Sequence, residues 1–174
     1  MPFRTFSDHE VLTASLVNKY WIQQHHVIKT ADETVTSSIT PQPDNELVVP
    51  LLANTDYWVE CMIIYDGIQA ADILVGWTYP ASTAIDWTYG GLHIGATVGS
   101  DRVSRSSRTE TQTGDAGCPN AATGTSNAIL PIEGIVRTSG TAGSLTLTWA
   151  QRATNATGTI VRAGSLMILQ RLTV

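Results

Sequence analysis

The chain has 174 residues, of which 43% are hydrophobic and only 14% charged, and its net charge is −5. That size suits one domain with its own core, and the apolar content excludes a disordered chain. The acidic balance, with Lys19 and Lys29 as the only lysines, argues against a nucleic-acid binder.

No segment approaches the ~20 consecutive apolar residues of a membrane span. "MPFRTFSDHEVLT" lacks the apolar region of a secretory signal, so synthesis in a cytoplasm is expected, without membrane insertion. Residues 1–26 differ from the rest. In "TASLVNKYWIQQ", Leu12, Leu16 and Tyr20 recur every four residues, with Val17 and Trp21 beside them, which is one apolar stripe of a short helix. Thr13 is a suitable N-cap, and Ser7 with Glu10 is a competing capping box. So short a helix is stable only when packed on something else. The segment is therefore expected to be an anchoring arm, separate from a domain over 27–174.

From about residue 27 the apolar period becomes two. Strands are expected over 34–40, 46–51, 57–66, 71–79, 85–93, 128–138, 144–150 and 165–172, separated by "PQPDN", "LANTD", "DGIQ", "YPAST", "SGTAGS" and "TNATG". About eight to ten antiparallel strands with short connections make an all-β jelly-roll sandwich the expected fold. The exception is 99–127, a polar stretch rich in Ser, Thr and Gly that reads as one long loop.

The faces of these strands differ. In 57–66, Tyr57, Val59, Cys61, Ile63 and Tyr65 form a wholly apolar face, while Met62 and Ile64 keep the middle of the other face apolar. The last strand behaves alike, with Leu166, Ile168 and Leu172 on one side and Met167 and Leu169 on the other. In 144–150, Thr146 and Thr148 make a polar face, and Asp72 and Thr78 do the same for 71–79. One sheet should then be wet outside, and the other should need a cover on its second face. The economical cover is another copy of the chain, with Met62, Ile64, Met167 and Leu169 as the candidate interface.

Catalytic signatures are absent: there is no phosphate-binding glycine loop, no H-E-x-x-H, no G-x-S-x-G and no C-x-x-C. No catalytic residue, metal site or cofactor is therefore expected, and the chain does not read as an enzyme. His25 and His26 read as surface residues. Pairs such as Asp66 with Asp72, or Asp32 with Glu33, flank turns, where Asp serves the backbone. Cys61 and Cys118 read as unpaired thiols. Trp77, Tyr79, Trp87 and Tyr89 suit core packing, with sugar stacking as the rival use. Arg102, Arg105 and Arg108 in the long loop are the candidate surface-binding set. Salt bridges with Asp101, Glu110 and Asp115 are the competing reading.

"RTFSDHEVLTASLVNKYWIQQ" resembles the N-terminal module of small virion proteins of actinobacterial tailed phages. The matching residues are Thr5-Phe6, Glu10-Val11-Leu12-Thr13-Ala14, Val17-Asn18 and Tyr20, with His9 where those proteins carry Gly. "LTLTWAQRATNATGTIVRAGSLMILQRL" is similar to their C-terminal end, and "DYWVECMIIYDG" with "ADILVGWTYPA" to their middle. The resemblance implies a trimeric jelly roll of the tumour-necrosis-factor and complement-C1q type. It places 57–66, 128–138 and 165–172 on the inner sheet, and 71–79 and 144–150 on the outer one. It also implies a homotrimeric virion structural protein that partners other virion proteins, as a minor tail protein in contact with a host-surface glycan. A capsid (head) decoration protein is the first alternative, and a carbohydrate-binding or carbohydrate-active domain the second.

Overall fold

A computed structural model of the chain describes residues 7–20, 23–94, 103–109, 111–120 and 126–172. Among these residues one helix, α1 (Ala14–Tyr20), precedes twelve strands: β1 (Gln24–Ile28), β2 (Glu33–Val35), β3 (Gln42–Leu51), β4 (Asp56–Asp66), β5 (Ile73–Thr78), β6 (Ala84–Leu92), β7 (Val103–Thr109), β8 (Gly114–Ala116), β9 (Ala128–Arg137), β10 (Gly143–Gln151), β11 (Thr159–Val161) and β12 (Leu166–Arg171). They form two antiparallel sheets packed as a jelly-roll-like sandwich. The larger runs β1-β12-β4-β9-β6-β7, with β11 joining β4 and β2 at one end; the smaller runs β3-β10-β5-β8. The expected partition holds, because β4, β9 and β12 share one sheet and β5 and β10 the other.

Apart from "PQPDN", the turns fall where their residues suggested. Asn54 and Ser82 adopt left-handed φ values of 52° and 59° between strands, and Gly164 takes φ 86° before β12. Near the N-terminus the Leu16 amide donates to Thr13 Oγ1 at 3.2 Å, so Thr13 caps α1. His9 has φ 63°, a conformation that favours glycine.

The core lies between the sheets. Val59, Cys61, Ile63 and Tyr65 of β4 meet Leu145, Leu147 and Trp149 of β10 there, all essentially inaccessible to solvent. Trp77, Trp87 and Tyr89 form an edge-to-face and tilted aromatic series, with centroids 6.0 and 5.6 Å apart. Packing is thus the use made of these rings. Both cysteines are buried and unpaired. Burial, with Asp72 nearby, pushes the Cys118 thiol up to about 12, which leaves it unreactive at neutral pH.

One buried polar cluster joins the sheets. "PQPDN" is not the turn expected, because β3 runs through it, and its pairing with β10 shifts register between Thr146 and Thr148. At this irregularity Asp44 enters the interior. Its carboxylate accepts from Lys29 Nζ at 2.9 and 3.0 Å, from the Glu46 and Leu47 amides at 2.9 and 2.8 Å, and from Trp149 Nε1 at 3.2 Å. Lys29 also donates to Glu33 at 2.9 Å.

Four strands were not legible as strands. β1 and β7 are polar edge strands, and β8 and β11 have three residues each. Two corrections follow. The arm cannot extend to residue 26, since β1 begins at Gln24 and pairs with β12. Residues 99–127 are not one loop, since β7 and β8 lie within them.

Candidate functional site

The outward face of the larger sheet carries a patch of apolar side chains. Register places Ile28, Leu166, Met62 and Pro131 side by side across β1, β12, β4 and β9. Ile64 and Ile129 form the next pair, and Ile168 lies beside Glu60. Ile28 is 54% exposed, Met62 45% and Ile129 51%, so the patch is open in the single chain. Contiguous apolar patches of this kind mark interaction surfaces.

Two of the four expected interface residues are elsewhere. Met62 and Ile64 face outward, but Met167 and Leu169 are 0% and 2% exposed and belong to the core. Register shows why: Met167 lies opposite Cys61 and Leu169 opposite Val59, on the inward face of β4. β12 is apolar on both faces, so its sequence does not reveal which face points inward. A shift of one residue exchanges them. The outward pair is Leu166 and Ile168.

The arm presents Val11 at 76% exposure and Leu12 at 49%, with Leu16 and Val17 half-buried. Among the described residues α1 makes no extensive contact with any strand. The side chain of Tyr20, and Trp21 altogether, lie outside the described residues. Deleting residues 1–22 is therefore expected to leave folding unchanged in a denaturant titration. Deleting 1–26 should destabilise the domain, because it removes three residues of β1.

The candidate arginines diverge. Arg102 lies outside the described residues. Arg105, on the outward face, pairs with Glu133 at 3.0 Å, with both side chains largely exposed. Arg108 is tied to the protein itself. It donates to the Thr113 and Ser107 carbonyls at 2.8 and 2.9 Å, to Ser106 Oγ and to Tyr89 Oη, and its guanidinium stands 5.4 Å from the Tyr89 ring centroid. Asp115 pairs with Arg152 at 2.9 Å instead of with these arginines. Arg108→Ala is expected to cost about 1 kcal/mol, by removing these partly exposed hydrogen bonds, and Arg105→Ala less than about 0.5 kcal/mol. Urea denaturation of the two variants measures both.

The remaining polar residues serve the fold. Asp66 accepts from Asn120 Nδ2 at 2.8 Å and pairs with Arg162, which also holds Asp32 at 2.7 Å. Asp72 accepts the Cys118 amide at 3.1 Å, and burial raises its pKa. His25 and His26 are exposed on β1. Among the described residues no group of three His, Cys, Asp or Glu side chains is placed to hold a metal ion. A scan against protein-family models finds no match, and a search of curated proteins finds none.

Sequence reasoning missed Trp58 as a surface residue. Its ring lies half-buried on the outward face, opposite Gln170 and Ile135, beside a cleft between β4, β9, β6 and β7. The signal was present, since Trp58 falls on the second face of the strand whose first face is wholly apolar.

Proposed function

We propose that this chain is a structural protein of a bacteriophage virion. It assembles as a homotrimer through the outward apolar face of its larger sheet, and the segment before β1 attaches it to neighbouring virion proteins. Its position is on the tail, with a role in host-surface contact. The observation that carries the trimer is the patch of Ile28, Met62, Ile64, Ile129, Leu166 and Ile168, which one chain leaves in water. Three copies arranged around one axis bury it by closed, head-to-tail contacts. The virion reading is supported by the matching residues of "RTFSDHEVLTASLVNKYWIQQ" and of the C-terminal stretch, and by the placement of β4, β9 and β12 in a single sheet.

A reconstruction of the phage particle tests this reading. Density for the chain in threefold sets on the tail is the expected result. Threefold sets on the capsid would make it a head decoration protein, and absence from the particle would end the virion reading.

A further inference from the structure

The outward face of the larger sheet is not uniform. The apolar patch occupies one corner, and the opposite corner holds an open cleft of about 360 Å³, within the size range of small-ligand sites. Trp58 forms one wall, and Thr88, Ser107, Asp86 and Glu133 supply polar groups around it.

Two cross-strand ion pairs fix those carboxylates. Arg137 Nη1 stands 2.8 Å from Asp86 Oδ2, and Arg105 Nη2 stands 3.0 Å from Glu133 Oε2. Each carboxylate thus has a guanidinium holding one oxygen and keeps acceptor capacity for a ligand. The charges of these two pairs cancel, and the guanidinium of Arg108, which also lines the cleft, is already engaged by the Thr113 and Ser107 carbonyls, Ser106 Oγ and Tyr89 Oη, so the cleft offers no unpaired carboxylate to a cation and no free guanidinium fork to an anion. An apolar ligand is also a poor fit, because these ionised groups would lose water without compensation.

A ligand that suits this surface has one flat apolar side for the indole and an edge of hydroxyls that donate to carboxylates and accept from guanidinium. A pyranose ring has both. We propose that this cleft binds a neutral, pyranose-containing glycan, with a sugar ring stacked on Trp58 and its hydroxyls on Asp86 and Glu133. The proposal does not rest on the virion reading. It assigns glycan contact to Trp58, Asp86 and Glu133, and Arg108, although it lines the cleft, keeps its hydrogen bonds within the protein.

The test is titration of the full-length ¹⁵N-labelled protein with cellotetraose, chitotetraose and maltotetraose, following the indole N–H signals by NMR. Trp58→Phe assigns the Trp58 signal. The expected result is a saturable shift of that signal with at least one neutral tetrasaccharide, with a Kd below about 10 mM. Trp58→Ala and Glu133→Gln should each weaken binding about ten-fold, which corresponds to the loss of one stacking or charge-assisted contact. Should Trp58→Ala fold poorly, Glu133→Gln, at an exposed position, gives the same answer. The proposal is overturned if no neutral probe moves the Trp58 signal by about 10 mM, or if both variants bind as the wild type does. Tighter binding of tetragalacturonate than of every neutral probe would also overturn it.

Discussion

Asp44→Ala is expected to destabilise the protein by about 3–5 kcal/mol, a large share of the roughly 5–15 kcal/mol that holds a domain folded. The substitution leaves Lys29, whose side chain is 1% exposed, with Glu33 as its remaining charged partner, and strands two backbone amides and the Trp149 indole N–H. Asp44→Asn should cost less, because it keeps one carbonyl acceptor for these donors. The cluster also sets a pH window. Burial pushes Asp44 up, but the hydrogen bond from Lys29 and those from the Leu47 and Glu46 amides outweigh it and hold the carboxyl below its ordinary 3.8. Its contribution is therefore complete above that value and is lost as pH falls through the lowered one. Burial pushes Lys29 down, but Asp44 and Glu33 outweigh it and hold the amine above its ordinary 10.5. Its contribution is complete below that value and is lost as pH rises past it. Urea denaturation as a function of pH should show a plateau between these limits. Asp44→Ala should lower the plateau and flatten its acid edge, and an unchanged acid edge would show that Asp44 does not set it.

Met62→Lys and Met167→Lys are expected to have opposite consequences, although both residues lie on neighbouring strands of one sheet. Met62 faces water in the single chain, so a lysine there should change monomer stability by less than about 0.5 kcal/mol. In a trimer built on this face it places an unpaired charge in the interface. That should weaken assembly by about 2–5 kcal/mol, at least thirty-fold in dissociation constant. Met167 is wholly buried between the sheets, and a lysine there should prevent folding at any concentration. Sedimentation with circular dichroism separates the outcomes. A folded Met62→Lys trimer would move the interface elsewhere on the molecule.

These two methionines show what was legible in the sequence and what was not. β4 declared its inward face because five consecutive odd positions are apolar while Glu60 and Asp66 interrupt the even ones. β10 was readable for the same reason, since its threonines alternate with Leu145, Leu147 and Trp149. β12 offers no polar residue until Gln170, so its orientation is set by pairing with β4, a contact about a hundred residues distant in sequence. β7, "VSRSSRT", reads as loop because its pairing with β6 is made by the backbone and its sequence is almost wholly polar. Asp44 looked like a turn residue because Pro-Asp-Asn is turn chemistry. Only the register shift of β3 against β10 turns its carboxylate inward to Lys29. The arginines were grouped by spacing, whereas alternate sides of β7 carry Arg105 to the outward face and Arg108 to Tyr89. Nothing at the level of sequence distinguishes the two.

In the proposed trimer the apolar corner of the outward face of the larger sheet, around Met62 and Ile129, is covered by copies of the same chain. The most direct measurement is the solution mass of the purified full-length protein by light scattering at micromolar concentration. Three copies of the 18.7-kDa chain is the predicted result, with Met62→Lys shifted to a single copy. A stable single copy of the wild-type protein under those conditions would contradict the account.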